Sequence, residues 1–61
     1  MITIFPELPE WRFSPKEISP GIHEVLGVDK RGHRVAARAG DVETALRACR
    51  DAAMRIKEGH A

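Results

Sequence analysis

One tetrapeptide near the middle of the chain constrains the fold more than any other feature. Residues 29–32 read Asp-Lys-Arg-Gly, and Asp at the first position with Gly at the fourth is typical of a type I turn closing into a glycine bulge. The flanking segments 22–29 and 33–39 are rich in apolar residues. The pattern therefore predicts a β-hairpin whose loop is residues 30–32.

This loop length fixes how the two strands pair. Asp29 pairs with His33, and the remaining pairs follow in steps of one residue. One face then carries Gly27 opposite Val35, Val25 opposite Ala37, and His23 opposite Ala39. The other face carries Val28 opposite Arg34, Leu26 opposite Ala36, and Glu24 opposite Arg38. The pair of opposite charges, Glu24 and Arg38, contributes roughly 0.2–1 kcal/mol and supports this register independently of the turn.

A helix is predicted after the hairpin. Asp41 is a good N-cap because its carboxylate can accept hydrogen bonds from the free N–H groups of the first turn. Gly59 is placed to end the helix. The apolar residues between them recur at helical spacing and form one stripe: Val42, Ala45, Leu46, Cys49, Ala52, Ala53 and Ile56.

The segment before the hairpin predicts one more strand. Between Glu10 and Ile18, apolar and polar residues alternate from Trp11 to Ser14, which is the period of a half-buried strand. Pro15 removes a backbone donor, so we expect an edge strand or a bend at that residue. The following Ser-Pro-Gly at 19–21 favours a type II turn.

These elements predict a single α+β domain. With 61 residues, the chain allows one small domain, which we assign to residues 11–61 as a three-stranded antiparallel sheet packed on one face by a C-terminal helix. We interpret residues 1–10 as an N-terminal extended arm or short strand that lays Ile4, Phe5 or Leu8 on the domain. A disordered arm is the alternative.

The composition excludes several other classes. Cys49 is the only cysteine and cannot form a disulfide within the chain. One cysteine and three histidines, with none of the ligand spacings of a zinc site, predict neither a metal site nor a cofactor. The chain has no apolar run near the ~18 residues that cross a bilayer and no signal peptide at its start. We expect a soluble, cytoplasmic protein with no membrane partner.

Charge is unevenly distributed along the chain. Residues 1–29 hold two bases and five acids, a balance of −3, whereas residues 30–61 hold eight bases and four acids, a balance of +4. The sequence pI is near 8.0, so nucleic acid is not the default partner. The two halves have opposite charge and can attract one another, within a chain or between chains.

We do not predict an enzyme. Cys49 lies in the middle of the apolar helix stripe, where a buried structural thiol is expected. His23 and His33 lie at opposite ends of one sheet face, too far apart to bind one metal. His33 beside Asp29 predicts a turn-stabilising pair, with a catalytic base and its orienting carboxylate as the alternative. His60 lies in a tail that we expect to fray.

The helix can cover only one face of the sheet. The better candidate carries Val25, Val35, Ala37 and Ala39, where Gly27 would let the helix approach closely. The opposite face then remains uncovered, and a contiguous apolar patch usually marks an interaction site. The predicted interaction face comprises Trp11, Phe13, Ile22, Leu26, Val28, Arg34, Ala36 and Arg38.

Three interpretations of that face are open. The first is self-association, in which two copies stack their sheets or pair their edge strands, or binding to another protein. The second is nucleic-acid binding, with Arg34, Arg38 and Arg12 on phosphates and Trp11 as a stacking aromatic. In the third, the N-terminal arm folds over the face and completes an ordinary core. We prefer a non-enzymatic protein-interaction module that forms a homodimer.

The order strand–strand–strand–helix over residues 11–57 resembles two families in layout. They are the arm-type DNA-binding domains of phage-type integrases and the plant APETALA2-type domains. These families insert their sheet into the major groove, which implies DNA contacts from Arg12, Arg34 and Arg38. Residues 40–46 also resemble the sheet-to-helix junction of HicB-type antitoxins.

Overall fold

The computed structural model describes residues 2–59, and its elements follow the predicted order. They are β1 (Trp11–Ser19), β2 (Ile22–Asp29), β3 (Arg34–Ala39) and α1 (Val42–Lys57). The strands form one antiparallel sheet in the order β1-β2-β3, and α1 packs on one of its faces. The predicted α+β fold class is therefore confirmed. The expectation for His60 lies outside the described residues.

The hairpin of β2 and β3 has the predicted register at every pair from His23–Ala39 to Val28–Arg34. The N–H of Asp29 donates to the carbonyl of His33 at 3.1 Å, and the N–H of Gly32 donates to the carbonyl of Asp29 at 3.3 Å. Gly32 has φ of 90°, a left-handed conformation that favours glycine. The turn chemistry therefore set the pairing, as the tetrapeptide predicted.

Helix α1 begins and ends at the predicted caps. The carboxylate of Asp41 accepts from the Thr44 N–H at 2.8 Å and from the Thr44 hydroxyl at 2.9 Å. At the other end, the N–H of Glu58 donates to Met54 O at 2.9 Å, and Gly59 follows with φ of 83°. These bonds satisfy backbone groups that the helix itself leaves free.

Strand β1 contains an irregularity that the sequence did not predict. Ser19 pairs with Ile22, but the next pair is Glu17 with His23, so Ile18 is an extra residue in the strand. This β-bulge shifts the register of the rest of β1 by one residue. As predicted, β1 is an edge strand, although the irregularity lies here and not at Pro15.

The bulge decides which face the aromatic residues of β1 occupy. It pairs Phe13 with Gly27, whereas an uninterrupted ladder from the turn would pair Phe13 with Val28. Since a shift of one residue moves every side chain to the other face, Trp11 and Phe13 lie on the helix side. Trp11 is 3% exposed and Phe13 is fully buried. The prediction that they belong to the uncovered face is therefore wrong.

Gly27 is needed for a different reason from the predicted one. A Cβ at this position would lie 2.7 Å from Cε1 of Phe13 and 2.8 Å from Cγ2 of Val35. The space above the glycine is thus filled by side chains from the neighbouring strands. We predicted that the helix would use this space.

The hydrophobic core lies between the sheet and α1. The core is small, because it contains only seven of residues 2–59, and the three that the helix contributes have short side chains. The buried residues are Leu8, Trp11, Phe13, Val25, Ala45, Cys49 and Ala53.

The N-terminal segment packs along the outer edge of β1. Thr3 and Phe13 form an antiparallel bridge, with N–H to carbonyl distances of 2.8 and 3.0 Å. The Phe5 ring meets the Phe13 ring edge-on at 5.3 Å between centroids, and Leu8 is 1% exposed. These contacts direct Phe5 and Leu8 of the arm to the helix side. The alternative in which the arm covers the opposite face is wrong, since the Thr3–Phe13 bridge directs Phe5 towards the core.

Candidate interaction surface

The face of the sheet opposite α1, which we call the open face, carries every second residue of each strand. Within residues 2–59 no helix or strand packs on it. Residues that are partners across the sheet share a face, so the pairings define its members. These are Arg12, Ser14, Lys16 and Ser19 of β1, Ile22, Glu24, Leu26 and Val28 of β2, and Arg34, Ala36 and Arg38 of β3.

An apolar stripe runs along the middle strand of the open face. Ile22, Leu26 and Val28 are 41%, 48% and 42% exposed, and Ala36 lies opposite Leu26 on β3. The structure thus brings together the aliphatic residues that the sequence assigned to this face. A group of large apolar side chains exposed on one surface is typical of an interaction site.

Two further isoleucines belong to the same side of the sheet. Ile2 and Ile4 flank Thr3, which shares the helix side with its partner Phe13. By strand alternation the two isoleucines point to the open-face side, where they are 55% and 56% exposed. The sequence did not assign Ile2 to this side. It predicted that the arm lays Ile4, Phe5 or Leu8 on the domain; Phe5 and Leu8 do so, whereas Ile4 is exposed.

Basic residues border the apolar stripe on both sides. Arg12 and Lys16 lie on β1, and Arg34 and Arg38 lie on β3. Among the described residues, Arg38 is the member of this group with an acidic partner: its Nε donates to Glu24 Oε2 at 2.9 Å. The open face therefore carries an apolar stripe along its middle strand, interrupted by Glu24, and basic residues on its two outer strands.

The open face has no aromatic side chain among residues 2–59. The chain contains one tryptophan, two phenylalanines and no tyrosine. Trp11 and Phe13 are in the core, their rings stacked at 6.0 Å between centroids, and Phe5 packs against Phe13. A stacking platform for nucleic-acid bases is thus missing from the described part of this face.

The thiol of Cys49 lies in the core, as the helix pattern predicted. The side chain is fully buried, and its Sγ donates to the carbonyl of Val25 at 3.5 Å. Burial raises the pKa of this thiol to about 11. A neutral, enclosed thiol of this kind is a poor nucleophile.

Asp29 and His33 form the predicted pair at the hairpin turn. The imidazole Nδ1 donates to Asp29 Oδ2 at 2.7 Å, and Oδ1 accepts from the N–H groups of Arg31 and His33 at 3.0 and 2.8 Å. Burial raises the pKa of this carboxyl group, but the hydrogen bonds from His33 and Arg31 outweigh burial, so the pKa of Asp29 is lowered overall.

The described residues hold neither a metal-ligand cluster nor a membrane-spanning helix. Residues 2–59 contain no cluster of three or more His, Cys, Asp or Glu side chains that could hold a metal ion. Within the same residues no helix has the length and apolar character to cross a membrane.

Comparisons of this chain with known protein families, curated proteins and solved structures found no match. The resemblance to integrase-arm and APETALA2-type domains thus depends on element order alone, and fold analogy does not establish function. The open face is the feature from which a function can be argued.

Proposed function

We propose that this protein is a non-enzymatic protein-interaction module that forms a homodimer through the open face of its sheet. The observation that carries the proposal is the apolar stripe of Ile22, Leu26 and Val28, which are each 41–48% exposed. Burying them removes apolar surface from water, the main driving force of protein association.

The small core gives a second reason for association. A domain of about 60 residues buries only about 60% of the surface of its unfolded chain. A standard interface buries about 800 Å² on each partner, which is about a fifth of the 4392 Å² that this molecule exposes. Stacking two copies would therefore add a second apolar layer to a molecule with few buried side chains.

Stacked faces avoid a charge conflict that one arrangement of paired edges would create. In a two-fold pairing of two β3 strands centred on Ala36, Arg34 would lie directly opposite Arg38 of the second copy. Like charges opposite one another destabilise a sheet. In stacked faces the same arginines lie at the rim, where long side chains can extend into water while their stems cover apolar surface.

The proposal includes a cytoplasmic location. It is supported by the single thiol, Cys49, which is enclosed in the core and has no cysteine partner in the chain. Proteins of this size from oxidising compartments usually depend on disulfides.

Sedimentation equilibrium of the purified chain tests the proposal. We expect a reversible monomer–dimer equilibrium between nanomolar and high micromolar concentrations at moderate salt. A second copy is the expected occupant of the open face. A strict monomer across this range would overturn self-association, and the face would then be assigned to a different partner.

Nucleic-acid binding through the same face is the second candidate, and one observation favours it. Four bases, Arg12, Lys16, Arg34 and Arg38, share the open face with one acid, Glu24. Phosphate contacts from such residues make affinity fall steeply with salt. If this candidate holds, the double variant Arg34→Ala, Arg38→Ala will bind DNA or RNA more weakly and with a flatter salt dependence. An unchanged slope would exclude these residues as phosphate contacts.

A further inference from the structure

A cleft of about 240 Å³ lies at the turn end of the sheet, on the opposite side from the apolar stripe. Its three walls come from different parts of the chain. They are the hairpin turn with Arg31 and His33, the segment 8–11, and the end of α1 with Ile56 and Lys57. Three separate segments thus meet around one concavity, which is the usual setting of a small-molecule site.

The cleft is lined by both cationic and acidic residues. Arg31 and Lys57 contribute cations, His33 contributes an imidazole, and Glu10 and Asp29 contribute carboxylates. Trp11 also lines the cleft although its side chain is almost completely buried.

The carboxylate of Asp29 already accepts three hydrogen bonds from groups within the protein. It accepts from two backbone N–H groups and from Nδ1 of His33. The bond at Nδ1 fixes the imidazole. Its Nε2 donates to an anion only when the ring is protonated, because in the neutral ring with its proton on Nδ1 this nitrogen is an acceptor. The second acid on the cleft, Glu10, is exposed. Asp29 thus orients His33 and presents little uncompensated negative charge to the cleft.

The carboxyl end of α1 beside the cleft is also partly neutralised. Its free carbonyls would repel an anion, but those of Met54 and Ile56 accept from the N–H groups of Glu58 and Gly59 at 2.9 and 3.0 Å. Nζ of Lys57 donates to the Glu7 carbonyl at 2.7 Å. This bond uses one of the three protons of the ammonium group, which leaves two for a ligand.

We propose that this cleft binds a small organic anion that combines a phosphate or carboxylate group with an apolar ring. The anionic group would contact Arg31, Lys57 and the protonated imidazole of His33. The ring would lie against Pro9 and Ile56, beside the small exposed part of Trp11. This inference does not depend on the homodimer, because none of these residues belongs to the open face.

Nuclear magnetic resonance tests the site directly, since Trp11 is the only tryptophan and its indole N–H gives a single ¹H–¹⁵N signal. The full chain is titrated with phenyl phosphate at constant ionic strength. Benzyl alcohol serves as the neutral ring and inorganic phosphate as the bare anion. We expect a saturable shift of the indole signal with phenyl phosphate, a weaker one with inorganic phosphate, and none with benzyl alcohol. A non-saturating response to phenyl phosphate, or an equal response to benzyl alcohol, would overturn the proposal.

Matched variants locate the contacts. Arg31→Gln and His33→Gln each remove one charge-assisted hydrogen bond and should weaken phenyl phosphate binding about tenfold. Arg47→Gln removes the same charge from the exposed side of α1, away from the residues that line the cleft, and should leave the affinity unchanged. Equal weakening by Arg47→Gln would mean that the anion responds only to the general charge of the protein, which contradicts a defined site. The amide spectrum of each variant verifies that it remains folded.

Discussion

The phenyl ring of Phe13 lies over Gly27, its partner across β1 and β2, and leaves no room for a Cβ at position 27. The glycine has no side chain of its own to pack, and the aromatic ring fills the resulting space. This relationship holds Phe13 on the helix side of the sheet. It is also one reason why the open face is lined by aliphatic and basic side chains without an aromatic.

Gly27→Ala should therefore destabilise the protein. The new methyl group would lie 2.7 Å from Phe13 Cε1 and 2.8 Å from Val35 Cγ2, so side chains on both neighbouring strands must move. Overpacking of this kind costs about 1–3 kcal/mol of unfolding free energy. Urea denaturation followed by circular dichroism, at one fixed protein concentration, measures the change.

Gly40→Ala is the matched control for that substitution. Gly40 has no positive φ, and the atom nearest to its added Cβ is the Gly21 carbonyl oxygen at 3.9 Å. We expect its unfolding free energy to stay within about 1 kcal/mol of the wild type, with any gain coming from the unfolded chain. Equal destabilisation by the two alanines would refute the packing argument for Gly27.

The hairpin and the helix were predictable because local chemistry specifies them. The turn at 29–32 fixed a loop length, and the loop length fixed every pair of β2 and β3. Asp41 and Gly59 marked the helix ends in the same way. In each case a few neighbouring residues carry enough information to determine the backbone geometry.

The face occupied by β1 was not predictable from such local signals. It depends on the bulge at Ile18, and no residue pattern in this segment predicts that bulge. Because of the bulge, the register shifts by one residue, and Trp11 and Phe13 lie on the other face of the sheet. The size match of Phe13 with Gly27 is the signal that could have revealed it, but it connects residues in different strands. The open-face members that belong to the hairpin were placed correctly, and these are Ile22, Leu26, Val28, Arg34, Ala36 and Arg38.

The protein should lose stability in acid. The two hydrogen bonds from Thr44 lower the pKa of Asp41 below its ordinary value of 3.8, and Arg50 lowers the pKa of Glu7 below 4.5. Groups with a lowered pKa in the folded state stabilise it above their unfolded pKa and lose this effect as the pH falls through the folded value. The urea midpoint should therefore be lower at pH 3 than at pH 7.

The substitution Asp41→Asn distinguishes the effect of helix capping from the effect of ionisation of the Asp41 carboxylate. Asparagine also caps helices but does not ionise, so this variant should lose less stability than the wild type between pH 7 and pH 3. Glu43→Gln is the control for this variant, because it removes an exposed acid from the same helix turn without breaking a hydrogen bond found in residues 2–59. An identical acid response in wild type and Asp41→Asn would show that the Asp41 carboxylate does not contribute.

Cys49 should be unreactive in the folded protein. Its thiol is fully enclosed, and burial raises its pKa to about 11, so both access and thiolate formation are suppressed. Ellman's reagent at pH 8 should modify the thiol at the rate of unfolding, and immediately in denaturant. A rapid reaction in native buffer would contradict the assigned core position.

Salt should strengthen self-association. Arg12, Lys16 and Arg34 have no acidic partner among the described residues, and stacking two open faces brings these charges together. Screening shortens the reach of this repulsion from about 10 Å at 0.1 M salt to about 3 Å at 1 M. The dimer dissociation constant should therefore fall as salt is added, and Lys16→Ser should reduce that response. Weaker dimers at high salt would indicate an interface held by opposite charges.

The central claim, that the apolar stripe is the dimer interface, is tested most directly by sedimentation equilibrium of Leu26→Glu beside the wild type. Leu26 lies in the middle strand and is 48% exposed, so the new charge can be accommodated in a monomer but not between stacked faces. Ala48→Glu adds the same charge to the exposed side of α1 and serves as the control. The proposal predicts dimers for the wild type and Ala48→Glu and monomers for Leu26→Glu. A Leu26→Glu protein that still forms dimers of unchanged affinity would contradict it.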